Sequence, residues 1–147
     1  MTAPRDRLPH QGASVMLDSV ERWDDRAVLC RARTHLDPAN PLRHDGRLAA
    51  VCGVEYGLQA AALHGGLRAG SAQPAGHVAA LRGVALHCEQ LDDPAVGILL
   101  VEARLEAQET FGMIYSFEIR AEAGAILLSG TASVALPSAR NSLALPR

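Results

Sequence analysis

The chain is 147 residues long, 48% hydrophobic and nearly neutral, with a formal charge of -2 at pH 7. That length buries one sizeable core and is short for two, so a single domain over residues 1–147 is expected. Basic and acidic residues are spread along the chain with no one-sign block to match a phosphate backbone, which argues against a nucleic-acid partner.

Met1 to His10 (MTAPRDRLPH) lacks the apolar run of a secretory signal or anchor, so a cytoplasmic protein with no membrane partner is expected. Ala27 to Thr34 reads as a strand, and Asp37 to Arg47, with Asn40-Pro41 and Asp45-Gly46, reads as a loop. From about Leu48 to His64 the residues are apolar almost all round, which predicts a buried helix stopped by Gly65-Gly66. The stretch is shorter than a membrane span and carries Glu55 and Gln59 in its middle. Gly53 and Gly57 weaken the helix by about 1 kcal/mol each relative to Ala but let a sheet come close to its axis.

After a Gly/Ser/Pro-rich connection from Arg68 to Gly76, a strand is predicted from His77 to Gln90, with a bend at Gly83. Leu99, Val101, Ala103 and Leu105 then alternate with Glu102, Arg104 and Glu106, and Phe111 to Ile119 and Ile126 to Leu136 repeat the pattern. Glu122-Ala123-Gly124 suits a hairpin turn, so these three strands form an antiparallel meander with one apolar face. The tail from Pro137 to Arg147 has no period and is expected to be loose. One helix against one antiparallel sheet is an α+β architecture.

Cys30, Cys52 and Cys88 form neither a CxxC nor a Cys/His zinc pattern, and free thiols in a reducing compartment are expected. No metal-ligand spacing, glycine-rich phosphate loop or serine nucleophile elbow occurs, so no metal or cofactor is expected. The informative residue is Glu55, the only carboxylate in the apolar helix. Helical spacing puts Cys52 and Gln59 on its face. A buried carboxylate needs a partner or a proton, so Glu55 is either a functional acid or base, supported by Gln59, or a structural charge at the helix end or a subunit contact. Its natural co-worker at neutral pH is a histidine. His44, in Arg43-His44-Asp45-Gly46 ahead of the helix, and His10, after Leu8-Pro9, are the two candidates. His64, in the last predicted turn, is expected to face the negative end of the helix dipole. His35, His77 and His87 are expected to be structural or on the surface.

These residues resemble the beta-hydroxyacyl-ACP dehydratase family, and within it the branch of aryl-polyene lipid biosynthesis. Leu8-Pro9-His10 followed by Val15-Met16-Leu17-Asp18 is similar to the family's opening, Val54-Glu55-Tyr56-Gly57-Leu58-Gln59-Ala60 is similar to its helix motif, and the C-terminal strands follow in the same order. The resemblance implies a hot-dog fold, a long central buried helix wrapped by an antiparallel β-sheet. It implies dehydration of a (3R)-hydroxyacyl thioester on an acyl carrier protein to the trans-2-enoyl thioester, in fatty-acid or aryl-polyene-type synthesis, with Glu55 as the acid and a histidine as the base. It also implies a partner in the phosphopantetheine-linked carrier and a homodimer or higher oligomer with a two-subunit site.

The family's loop motif HFPG is absent, and aligning its glycine on Gly46 puts Arg43, not His44, in the catalytic place. His44 and His10 therefore both stand as bases, with Gln59, Gly46, Cys52 and Arg43 expected around the substrate. Arg43, Arg47, Arg68 and Arg82 are candidates for the carrier-facing mouth. A hot-dog thioesterase and a non-catalytic subunit that binds acyl carrier protein are the alternatives.

Overall fold

The computed structural model describes residues 15–70, 77–110 and 112–135. Six strands, β1 (Ser19–Trp23), β2 (Ala27–Ala32), β3 (His77–Leu86), β4 (Leu99–Glu109), β5 (Gly112–Arg120) and β6 (Ile126–Ala135), form one sheet in the order β1-β2-β4-β5-β6-β3. Every neighbouring pair is antiparallel. The expected meander is β4-β5-β6, with Val101 opposite Ile119 and Ile119 opposite Leu128. Its inward residues, Leu99, Val101, Ala103, Tyr115, Phe117, Ile119, Leu128 and Ala132, are buried. The β5–β6 turn is closed by the Ala121 N–H donating to the Ala125 carbonyl at 2.8 Å, with Gly124 at φ +110.

The helix α1 (Gly53–Ala69) lies across that face and packs on β2, β4, β5 and β6. The expected close approach is present. A Cβ on Gly53 would sit 2.5 Å from Leu128 Cδ2, and one on Gly57 would sit 2.5 Å from Phe117 Cδ1. Phe117 also lies over Gly130 on the next strand, so its ring fills the space that two glycines leave open. This is the α+β hot-dog arrangement, one helix wrapped by an antiparallel sheet.

Four elements differ from the sequence reading. The helix is introduced by a 3-10 turn at Ala50–Cys52 and runs through Gly65 and Gly66 to end at Gly70, whose φ of +79 is the left-handed stop. Two glycines cost about 2 kcal/mol together in a helix interior, less than burial of Leu63 and Leu67 returns at about 1.5–3 kcal/mol each. β1 has no predicted counterpart, because on this edge strand only Val20 is buried and no alternation is visible. β2 stops at Ala32, since the Arg33 N–H leaves the ladder for the Asp18 carboxylate and Thr34–Leu36 forms a 3-10 turn. β3 stops at Leu86; Gln90 instead bridges Ala49 at the entrance to the helix. The bend expected at Gly83 is there, at φ +58, where the β3–β6 register shifts.

Candidate active site

Glu55 lies in the first turn of α1, half-buried, and Gln59 lies one turn further on, fully buried. The i, i+4 spacing brings the two together, and Gln59 Nε2 donates to Glu55 Oε1 at 3.2 Å. The amide's orientation is set from the other side, because the Met16 backbone N–H donates to Gln59 Oε1 at 2.8 Å. A backbone N–H can only donate, so Gln59 must turn its oxygen to Met16 and its NH2 to Glu55.

The loop residues form a second group. Asp45 (φ +52) and Gly46 (φ +75) are both left-handed and close a tight turn, across which His44 and Arg47 exchange backbone hydrogen bonds at 2.8 and 3.0 Å. The His44 side chain is 92% exposed, its Nε2 lying 3.4 Å from the Asp45 carboxylate. Arg43 folds inward and donates to the carbonyls of Asp37 (2.9 Å), Gly46 (2.9 Å) and His35 (3.1 Å), with Asp92 Oδ2 at 3.3 Å. These bonds make Arg43 the knot of the loop. Half-buried Cys52, one turn before Glu55, directs Sγ at the Leu42 carbonyl, 3.7 Å away, and links loop to helix. His10 and the Leu8-Pro9 start lie outside the described residues. Among the described residues no group of three or more His, Cys, Asp or Glu side chains is placed to hold a metal ion.

Several residues near Glu55 escaped the sequence reading. Tyr56 is completely buried, and its hydroxyl meets Thr34 Oγ1 at 2.8 Å and Asn40 Nδ2 at 3.1 Å. Thr34 Oγ1 in turn donates to the Met16 carbonyl at 2.6 Å. The available signal was Tyr56 itself, since a buried phenol in a largely apolar helix must find a polar partner. Burial pushes the Tyr56 hydroxyl pKa above the ordinary tyrosine value, against the smaller lowering effects of its bonds to Thr34 and Asn40.

His64 does not sit at the helix end, which lies five residues on. It is fully buried, with Nε2 2.8 Å from the Asp24 carbonyl and Nδ1 2.7 Å from the Tyr115 hydroxyl. The carbonyl must accept, so Nε2 carries the proton and Nδ1 accepts from Tyr115. Burial lowers the His64 pKa and pushes the Tyr115 hydroxyl up to about 12. His35 is likewise buried, with Nε2 2.8 Å from the Gly97 carbonyl and its pKa lowered by burial.

Glu55 shares a helix face with Val51 (i-4), Leu58 (i+3) and Ala62 (i+7). The sheet leaves that face partly open: Val51 is 55% exposed, and Leu58 and Ala62 are half-buried. The edge strand β3 also exposes apolar side chains, Val78, Leu81, Val84 and Leu86.

The fold recurs in known structures. The dehydratase heterocomplex ApeI:P from Xenorhabdus doucetiae contains a chain matching at a TM-score of 0.83 and 20% identity, over 99% of this chain and 97% of that one. A hypothetical thioesterase from Streptococcus pneumoniae TIGR4, solved with coenzyme A, matches at 0.59 and 14% identity, over 82% and 85% of the two chains. The E. coli PaaI protein from the phenylacetic acid degradation operon matches at 0.55 and 13%, over 80% and 81%. At these identities the likeness is one of fold, and no curated protein matches the chain by sequence. The sequence itself matches the ApeP-like family, that of the ApeP dehydratase, over residues 2–144, and the chain belongs to that family.

Proposed function

We propose that this protein dehydrates (3R)-hydroxyacyl thioesters on an acyl carrier protein to trans-2-enoyl thioesters, in the cytoplasm, in aryl-polyene-type or fatty-acid synthesis. The observation that carries the reading is the Glu55–Gln59 pair, a helix carboxylate held by a fully buried amide in a chain of a dehydratase family. The base takes the proton from C2, the electron pair forms the C2–C3 double bond, and Glu55 gives its proton to the departing C3 hydroxyl, which leaves as water. A backbone N–H near the start of α1 polarises the thioester carbonyl and stabilises the charge that builds there. The net change is loss of water, so the reaction requires no redox cofactor. His44 or His10 is the base, and Gln59, Cys52 and the Arg43–Gly46 loop border the acyl thioester.

The apolar face that Glu55 shares with Val51 and Leu58 supports a site completed by a second subunit, either another copy of this chain or a different subunit; the structural neighbour ApeI:P is a heterocomplex. At the mouth, Arg47 and Arg82 are exposed and suited to an acidic carrier, whereas Arg43 is committed to its loop and Arg68 bonds Asp25 and Gln108.

The test is mass spectrometry of a 3-hydroxyacyl carrier-protein substrate with wild type, Glu55→Gln, His44→Ala and His10→Ala. Loss of water that disappears with Glu55→Gln is the expected result, and the histidine variant that also fails identifies the base. Release of free acid would instead make the protein a thioesterase, like the named structural neighbour, and an unchanged substrate would make it a binding subunit.

A further inference from the structure

The polar groups around Tyr56 and Gln59 have a single direction. Thr34 Oγ1–H donates to the Met16 carbonyl, which cannot donate back, so the Tyr56 hydroxyl must donate to Thr34 Oγ1. Tyr56 then accepts from Asn40 Nδ2, and the Asn40 amide is itself oriented, since its Oδ1 accepts from the Leu42 N–H at 2.8 Å and its Nδ2 donates to the Thr34 carbonyl at 2.8 Å. Met16, gripped through its carbonyl by Thr34, gives its N–H to Gln59, and Gln59 gives its NH2 to Glu55. The donors run one way, from Asn40 through Tyr56, Thr34, Met16 and Gln59 to the Glu55 carboxylate.

We propose that Asn40, Tyr56 and Thr34 are positioning residues for Glu55, acting through Met16 and the oriented Gln59 amide. The arrangement places one carboxyl oxygen, Oε1, as the acceptor of Gln59 Nε2–H. Buried polar networks reward complete satisfaction, and here every hydroxyl and amide between Asn40 and Gln59 has a defined role, so loss of one link frees the amide at the end. The loop after β2 is thereby linked through Met16 and Gln59 to a carboxylate on α1. The inference rests on Glu55 being the working acid.

Thr34→Val removes the hydroxyl at the centre of the relay, Thr34→Ser restores it, and Tyr56→Phe removes the next link. Tyr115→Phe deletes a buried hydroxyl bond outside the relay, that to His64, and controls for lost stability. Steady-state dehydration of a 3-hydroxyacyl carrier-protein substrate and the Gln59 side-chain NH2 resonances are followed together. Thr34→Val and Tyr56→Phe are expected to lower kcat by about tenfold with KM changed less than about twofold, while Thr34→Ser and Tyr115→Phe stay within about threefold of wild type. The Gln59 NH2 signals are expected to shift and to exchange faster with solvent in Thr34→Val and Tyr56→Phe only. Wild-type kcat and unmoved Gln59 resonances in Thr34→Val would overturn the relay. A wild-type protein inactive on these substrates would remove the dehydratase reading, and the Gln59 resonances would still decide the relay by themselves.

Discussion

Gly57 and Gly65 lie two turns apart on α1, and the structure predicts opposite signs for the same substitution. At Gly65, among the described residues, an added Cβ meets only Met113 Cε at 3.9 Å, an ordinary contact, so Gly65→Ala should gain the helix-propensity difference of about 1 kcal/mol. At Gly57 the Cβ would lie 2.5 Å from Phe117 Cδ1, 2.6 Å from Cγ and 2.9 Å from Cβ, at the root of the ring rather than its tip. Phe117 has no retreat, because its Cζ already lies 2.8 Å from where a Cβ on Gly130 would be. Overpacking of a closed core costs about 1–3 kcal/mol, and a ring blocked on both sides belongs in the upper half of that range. Subtracting the propensity gain leaves Gly57→Ala destabilised by about 1–2 kcal/mol, so the two variants should differ by about 2–3 kcal/mol. Urea unfolding at one fixed protein concentration measures this as a midpoint separation of about 1 M. Adding Phe117→Leu should recover part of the loss in the Gly57 variant by a coupling that Gly65→Ala does not show. Equal midpoints for the two glycine variants would refute the close-approach argument.

Acid should destabilise the fold through His64 and His35. Their folded pKa values lie below 6.5, so as pH falls past about 6.5 the unfolded chain takes up protons that the folded state refuses; stability is full above that pH and declines below it, until the folded pKa values are passed. Each histidine contributes at most about 1.4 kcal/mol per pH unit, and His64→Gln should flatten the measured curve of unfolding free energy against pH. Arg43→Lys keeps a charge beside Asp92 but loses the planar fork that serves three carbonyls, and should cost about 2 kcal/mol in urea titrations; a loss below about 0.5 kcal/mol would mean the loop closes without it. Leu81→Lys on β3 puts a charge in the exposed apolar edge and should lower the oligomeric mass measured by light scattering, whereas an unchanged mass would place the subunit contact elsewhere.

The sheet's central strands and the helix were legible in the sequence because both are written in local spacing. Alternation in Leu99–Leu105 and Tyr115–Ile119 reports a half-buried strand wherever the strand ends up, and an apolar run with Gly53 and Gly57 reports a helix that something must approach closely. The i, i+4 relation of Glu55 and Gln59 is of the same kind. The histidine proposed to work with Glu55 is harder to read, since His44 and His10 both stand in the sequence and only its place in the loop before the helix puts His44 ahead. β1 was invisible because an edge strand that buries only Val20 has no period to detect. The helix end moved from Gly65 to Gly70 because tertiary burial outweighed two unfavourable propensities. Only the folded chain decided who satisfies whom. Met16 and Gln59 are 43 residues apart and His64 and Tyr115 are 51 apart, and a donor's choice of acceptor over such separations depends on which surfaces meet, which no local pattern encodes.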